Sequence, residues 1–125
     1  MSAGARHAAE KRGRRAEAVA AWLLRLKGYR VLSRRYRTPA GEIDLIVRRG
    51  RTIVFVEVKE RSEEATAIAA ITPAARRRIA AAAGLWLSRH PAAAGFDQRF
   101  DVVLALPGRL PRHLVSVFDS AGAIW

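Results

Sequence analysis

The sequence predicts an α/β domain: one mixed β-sheet of about five strands flanked by helices, in the order α-β-β-β-α-β-β, as a single unit over residues 1–125. Three observations lead there. Two neighbouring stretches, Gly41-Glu42-Ile43-Asp44-Leu45-Ile46 and Phe55-Val56-Glu57-Val58-Lys59, have strand composition and are apolar on both faces apart from a few charges. Such runs belong to a sheet covered on both sides. A helical pattern opens at Thr72-Pro73 and separates those strands from another apolar run at 99–106. That order asks for a crossover that sets the third and fourth strands parallel. A second helical pattern precedes the first strand and supplies cover for the other face.

Residues 1–12 are small and basic and are expected to form a flexible lead-in. From about Gly13 to Lys27 the pattern is helical, with Ala16, Val19, Ala20, Leu23 and Leu26 as an apolar stripe and Gly28 as the C′ residue. Glu17 projects beside Leu24 and flanks that stripe. It is either a rim residue pairing with Arg14 or Lys27, or a carboxylate reaching toward the sheet. A strand follows over 29–37, with Tyr29, Val31 and Tyr36 inward. Thr38-Pro39-Ala40-Gly41 is a turn. After the two charged strands, residues 60–70 become polar and then alanine-rich, reading as a mobile loop or frayed helix. Thr72 is the N-cap and Pro73 the first position of the next helix. Ile79, Ala83 and Trp86 mark its buried side, and it runs to about Arg89, where Pro91 stops it. The fourth strand ends at Pro107-Gly108, and a short fifth runs from His113 to Phe118.

The charges on the central strands are the unusual feature. Glu42 and Asp44 are two apart, as are Glu57 and Lys59, and strand side chains alternate faces, so each pair shares one face. A type II′ turn with Gly50 first sets Asp44 opposite Glu57 and Glu42 opposite Lys59. A turn at Arg49-Gly50 pairs Asp44 with Phe55 and leaves Glu57 as its diagonal neighbour. Either register gathers three carboxylates and one ammonium. Two carboxylates about 5 Å apart repel by roughly 3 kcal/mol at an effective dielectric near 20. Lys59 offsets part of this. A divalent cation offsets far more, and hard oxygen ligands suit Mg²⁺ or Mn²⁺. The plainer reading is a salt-bridge ladder on a solvated strand face, which the apolar surroundings of both strands disfavour.

The chain has 23 basic and 11 acidic residues, a formal net charge of +12. Such a surplus in one small domain points to a polyanion, most often nucleic acid. Arginine supplies nearly all of it, since Lys11, Lys27 and Lys59 are the only lysines. Cysteine is absent, which excludes disulfides, thiolate nucleophiles and Cys-based zinc sites. His7, His90 and His113 lack ligand spacing, and each reads as a surface or terminal residue. No apolar run approaches the ~18 residues of a membrane span. The basic N-terminus continues into the helix rather than into an apolar run, so a signal peptide is not expected, and Glu10 and Glu17 weigh against a transit peptide. A cytoplasmic protein without membrane contact is the expectation. Arg76-Arg77-Arg78 lies in the first two turns of the second helix, where positive charge opposes the macrodipole unless an anion binds there. The alternative is a solvated arginine face.

With these residues laid out, the chain resembles the YraN-like family of small bacterial proteins, which are similar to the PD-(D/E)XK nuclease superfamily of Holliday-junction resolvases and restriction endonucleases. The resemblance runs from Gly13 to about Ser120. It rests on Gly13-Arg14-Arg15-Ala16-Glu17, on Gly41-Glu42-Ile43-Asp44-Leu45-Ile46, on Val54-Phe55-Val56-Glu57-Val58-Lys59 and on Arg99-Phe100-Asp101-Val102-Val103, in that order. It implies a restriction-endonuclease-like α-β-β-β-α-β core, with Asp44, Glu57 and Lys59 at the catalytic positions and Glu17 as the helix acid of the resolvase-like branch. This chain has Thr72-Pro73-Ala74-Ala75 where the family often has lysine in place of Ala75, and Arg76 stands next to it.

The implied chemistry is metal-assisted hydrolysis of phosphodiester bonds, in DNA ahead of RNA and in branched DNA by the resolvase analogy. Asp44, Glu57 and Glu17 are the candidate ligands of Mg²⁺ or Mn²⁺, joined by a backbone carbonyl near Val58. Lys59 orients or deprotonates the attacking water. Glu42 is a helper or a strand-edge charge. Arg14, Arg76, Arg77 and Arg99 are the candidate nucleic-acid contacts, holding phosphates without reading sequence. The same analogy implies a homodimer. A non-catalytic nucleic-acid-binding module is the main alternative, and an rRNA-bound interaction factor is another. No glycine-rich phosphate loop or Ser-His-Asp pattern supports a different enzyme class.

Overall fold

Helix α1, Ala3–Leu26, leads into a five-stranded sheet of order β1-β2-β3-β4-β5. The structure, a computed structural model, describes residues 3–61 and 63–120, with side chains from Gly13 onward. The strands are β1 (Arg30–Arg37), β2 (Glu42–Arg49), β3 (Thr52–Glu60), β4 (Asp97–Ala105) and β5 (Arg112–Phe118). Between β3 and β4 come a short helix α2 (Glu64–Ala69) and the longer α3 (Pro73–Ser88). All neighbouring pairs are antiparallel except β3 and β4, which run parallel across the helical crossover. This is the α/β class and element order expected from the sequence. The expected loop or frayed helix at 60–70 contains α2. A 3₁₀ turn at Pro91–Ala93, unforeseen, follows α3.

The two helical layers cover opposite faces because β3 alternates what it presents. Ile53 and Phe55 pack with Ile79, Ala82, Ala83 and Trp86 of α3. Val54 and Val56 pack with Ala20, Ala21 and Leu24 of α1. Thr72 caps α3 by accepting the N–H of Ala75 at 3.1 Å, with Pro73 at the first helical position.

Helix α1 differs from expectation in two ways. It begins at Ala3 rather than near Gly13, so the backbone of the basic lead-in continues the helix. Met1, Ser2 and the side chains before Gly13 lie outside the described residues. Its buried arc is also rotated. Ala16, Ala20, Ala21 and Leu24 are buried, whereas Val19 and Leu26 of the expected stripe are exposed, Leu26 by 66%. Small side chains let a helix lie close on a sheet, and that close approach outweighs the greater hydrophobicity of Val19 and Leu26. Glu17 therefore falls at i, i+3, i+4 and i+7 with Ala20, Ala21 and Leu24, inside the buried arc. The helix stops as expected at Gly28, whose φ is +90°. Tyr29 N–H donates to Leu24 C=O and Gly28 N–H to Arg25 C=O, the paired bonds of a Schellman ending.

Candidate active site

The β2–β3 hairpin decides where the charges go. Arg49 pairs with Thr52, leaving Gly50 and Arg51 as a two-residue turn, and Gly50 has φ +60°. That is the first of the two registers considered, with glycine at the position that needs positive φ. The ladder runs up to Leu45↔Val56 and stops there. One step further, Asp44 lies level with Glu57. Val58 N–H donates to the Asp44 Oδ2 at 2.8 Å, so a side chain takes the place of a cross-strand carbonyl where the strands part. On the other side, the pairs Arg34↔Leu45 and Tyr36↔Ile43 place Arg35 level with Asp44. Arg35, Asp44 and Glu57 thus form a row across β1, β2 and β3.

The start of β2 is held by its preceding turn. The Thr38 hydroxyl accepts the N–H groups of Ala40 and Gly41 and donates to the Gly41 carbonyl. Gly41 sits against α3: a Cβ there would lie 2.5 Å from the Arg78 carbonyl oxygen. Only glycine lets this turn approach the helix so closely, three residues before Asp44.

Glu17, Asp44, Glu57 and Lys59 all line one open cavity of about 640 Å³, together with Gly13, Ala16, Val58 and Pro107. Lys59 Nζ lies 3.7 Å from Glu57 Oε1. The Glu57 side chain is 14% exposed. Its carboxyl is pushed up to about 9, first by burial and then by the adjoining Asp44 carboxylate, with Lys59 pulling the other way. Glu17 faces the cavity from α1 as expected, but its Oε2 accepts Arg35 Nε at 2.7 Å. Among the described residues, no three His, Asp or Glu side chains are gathered closely enough to cage a metal by themselves. Glu42 is exposed and reaches Arg37 at 3.5 Å, at the strand edge.

The arginines divide. Arg14 is exposed and lines a niche of about 280 Å³ beside the cavity, with Gly13, Glu17, Arg35, Arg37 and Glu42. Arg77 is exposed on α3, away from both. Arg76 is half-buried and donates to the Ile71 carbonyl at 2.7 Å, holding the approach to α3. Arg99 is engaged within the fold, a set of bonds the sequence reading did not include. Its Nε and Nη2 grip both Asp101 oxygens at 2.9 and 2.8 Å, and Nη2 also donates to the Tyr29 hydroxyl.

Asp101 is the one fully buried charged residue among those described. Burial by itself would raise its carboxyl. Hydrogen bonds from His113, Arg99 and the Ser116 N–H outweigh that and hold it below the usual carboxylate range. His113 corrects the sequence reading, since it is neither superficial nor terminal. Its side chain is 2% exposed, with Nε2 2.7 Å from Asp101 and Nδ1 2.7 Å from Lys27 Nζ. His90 is exposed and stacks on Trp86, and the His7 side chain lies outside the described residues. Arg35 was missed at the sequence level. Its φ of +53° turns it toward α1, and an arginine in a strand carries no signal of that conformation.

Known proteins resemble this chain along nearly all its length. The model of a family described as "Uncharacterised protein family UPF0102" matches residues 16–105. A UPF0102 protein of Parvibaculum lavamentivorans is 55% identical over 111 residues, covering 89% of this chain and 84% of its own. UPF0102 protein RL0336 of Rhizobium johnstonii is 53% identical over 113 residues, covering 90% and 93%. A UPF0102 protein of Methylorubrum extorquens is 52% identical over 117 residues, covering 94% and 91%. The matched segment contains Glu17, Asp44, Glu57 and Lys59.

Proposed function

The chain belongs to the UPF0102 family, and from the site its fold assembles we propose that it is a metal-dependent endonuclease hydrolysing phosphodiester bonds of nucleic acid, DNA ahead of RNA. The observation that carries the reading is one open cavity lined by Asp44, Glu57 and Lys59 at the point where β2 and β3 part, with Glu17 on its wall. The resemblance of these four positions to those of the PD-(D/E)XK nucleases supports it, as does the net charge of +12.

The donor set fits a hard divalent cation. It offers carboxylate oxygens and no sulfur, and Mg²⁺ is commonly held by one or two carboxylates while keeping several waters. Asp44 and Glu57 would hold it, with Glu17 within the same cavity. A buried carboxyl raised to about 9 carries a proton at neutral pH unless a cation replaces it. A cation held by Asp44 and Glu57 would supply polarisation of a phosphodiester and a more acidic bound water. The chain's own groups do the rest. Asp44 is oriented by the Val58 N–H, and Lys59 stands beside Glu57 to position the attacking water and offset charge developing on the phosphoryl oxygens. Arg14 and its neighbours hold the flanking backbone. A cytoplasmic location belongs to the same reading, and among the described residues no helix is long and apolar enough to cross a membrane.

A second reading, a nucleic-acid-binding module without turnover, is favoured by the engagement of Glu17 with Arg35, which leaves two carboxylates rather than three at the fork. Labelled linear, branched and single-stranded DNA and RNA, incubated with Mg²⁺, Mn²⁺ or EDTA, separate the two. Metal-dependent cleavage that disappears in Asp44→Asn supports the nuclease. Binding without cleavage of any substrate in either metal supports the module.

A further inference from the structure

Arg35 occupies an unusual position for its type. It lies in the strand row with Asp44 and Glu57, at φ +53°, a conformation that few non-glycine residues adopt. That backbone turn aims its side chain out of the strand toward α1, where Nε donates to Glu17 at 2.7 Å. The bond is sheltered, with the two side chains 33% and 14% exposed. Glu17 lines two adjoining spaces: the acidic cavity with Asp44 and Glu57, and the niche with Arg14, Arg35 and Arg37. In the niche, three guanidinium groups face two carboxylates, and Glu42 is held only at 3.5 Å by Arg37. Gly13 adds no side chain to its wall, and about 280 Å³ is ample for a phosphate with part of its sugar.

We propose that this niche is a backbone-phosphate subsite and that Arg35 exchanges partners in it, holding Glu17 in the free protein and a phosphate in the complex, so that nucleic acid releases Glu17 to the Asp44–Glu57 cation. The proposal rests on the reading that Asp44 and Glu57 bind a divalent cation. The exchange conserves charge-assisted bonds: Arg35 trades a carboxylate for a phosphate, and Glu17 trades a guanidinium for a metal. Neither trade is favourable alone. Phosphate without the cation strands Glu17 between carboxylates, and the cation without phosphate strands Arg35. Metal and nucleic acid therefore bind with positive coupling, equal in both directions.

The test measures binding, not cleavage. The affinity of the full-length chain for a phosphorothioate-protected DNA duplex is read by fluorescence anisotropy in EDTA and in Mn²⁺. Mn²⁺ affinity is read by calorimetry without DNA. For the wild type, Mn²⁺ should tighten duplex binding by about fivefold or more. Glu17→Gln keeps the shape of the pair and frees Arg35. It should bind the duplex more tightly than wild type in EDTA, with no further gain from Mn²⁺. Arg35→Ala should bind Mn²⁺ more tightly than wild type without DNA, and should lose the coupling. If Asp44→Asn abolishes Mn²⁺ binding while wild-type duplex affinity is unchanged by Mn²⁺, the exchange is wrong and the metal site stands. If wild type and Asp44→Asn bind Mn²⁺ equally, the metal site is wrong and the exchange falls with it.

Discussion

Glu57 is the side chain whose proton reports on the site. Its folded carboxyl is raised to about 9, so the metal-free fold keeps a proton that the unfolded chain gives up near the ordinary glutamate range. The stability this contributes is complete below that range and is lost as pH rises toward 9, at up to about 1.4 kcal/mol per pH unit. Urea denaturation of metal-free protein at several pH values between 5 and 9 should show the decline, and Glu57→Gln should flatten it. Parallel profiles for the two proteins would remove Glu57 as the cause. Asp44→Asn takes away the like charge beside Glu57 and keeps an oxygen to accept the Val58 N–H. It should therefore melt at the same temperature as metal-free wild type or higher, yet show no melting shift with Mn²⁺. An equal Mn²⁺ shift in both proteins would move the metal elsewhere. Asp101 behaves oppositely. Its carboxyl is held low, so its contribution is present above the ordinary aspartate range and lost in acid. Because Arg99 and His113 depend on it, Asp101→Asn should cost roughly 3–5 kcal/mol in urea denaturation. A cost near zero would show that the network is dispensable.

The elements differ in how plainly the sequence announces them. The β2–β3 turn is legible from Gly50, but the sequence leaves two registers open, and the structure selects the one that brings Asp44 level with Glu57. Helix α3 is legible from its Thr72-Pro73 start and its Ile79, Ala83 and Trp86 spacing. The buried face of α1 is not, since ranking by hydrophobicity selects Val19 and Leu26, while close helix–sheet packing selects the alanines. Arg35 and His113 are illegible for different reasons. A left-handed arginine inside a strand leaves no compositional mark, and the partners of His113 lie 12 and 86 residues away. The sequence marks Gly41 as a turn residue and the head of the Gly41–Ile46 stretch, and the structure adds a steric role. Gly41→Ala drives a methyl group into the Arg78 carbonyl and must push β2 away from α3. The expected cost is about 1–3 kcal/mol of stability, the range of an overpacked core. Mn²⁺ affinity should weaken as well, because Asp44 is three residues on along the displaced strand. An alanine variant with wild-type stability and Mn²⁺ binding would show that the turn can move without consequence.

At the scale of the molecule, charge and chemistry are separable. Glu17, Asp44 and Glu57 share one cavity, whereas the 23 basic residues are spread over the chain. Part of that surplus is paired inside the fold: Arg99 with Asp101 and Arg35 with Glu17. Exposed Arg14, Arg34, Arg37 and Arg77, with Lys27 and others, remain as surface charge. If a bound duplex has about five phosphates neutralised by such residues, the logarithm of affinity should fall against the logarithm of salt concentration with a slope near −4.5. The slope should be much the same for unrelated sequences, since arginine–phosphate contacts position the backbone without reading bases. In EDTA, Asp44→Asn should keep both the affinity and the slope, because it alters the cavity and not the arginines. Replacing Arg14 and Arg37 together by glutamine should make the slope shallower by about two, one for each lost phosphate contact. Replacing Arg77, which lines neither the cavity nor the niche, tests whether the polyanion also reaches α3. Anisotropy titrations over a range of salt concentrations supply all of these slopes, and an affinity indifferent to salt would assign the positive charge to a partner other than nucleic acid.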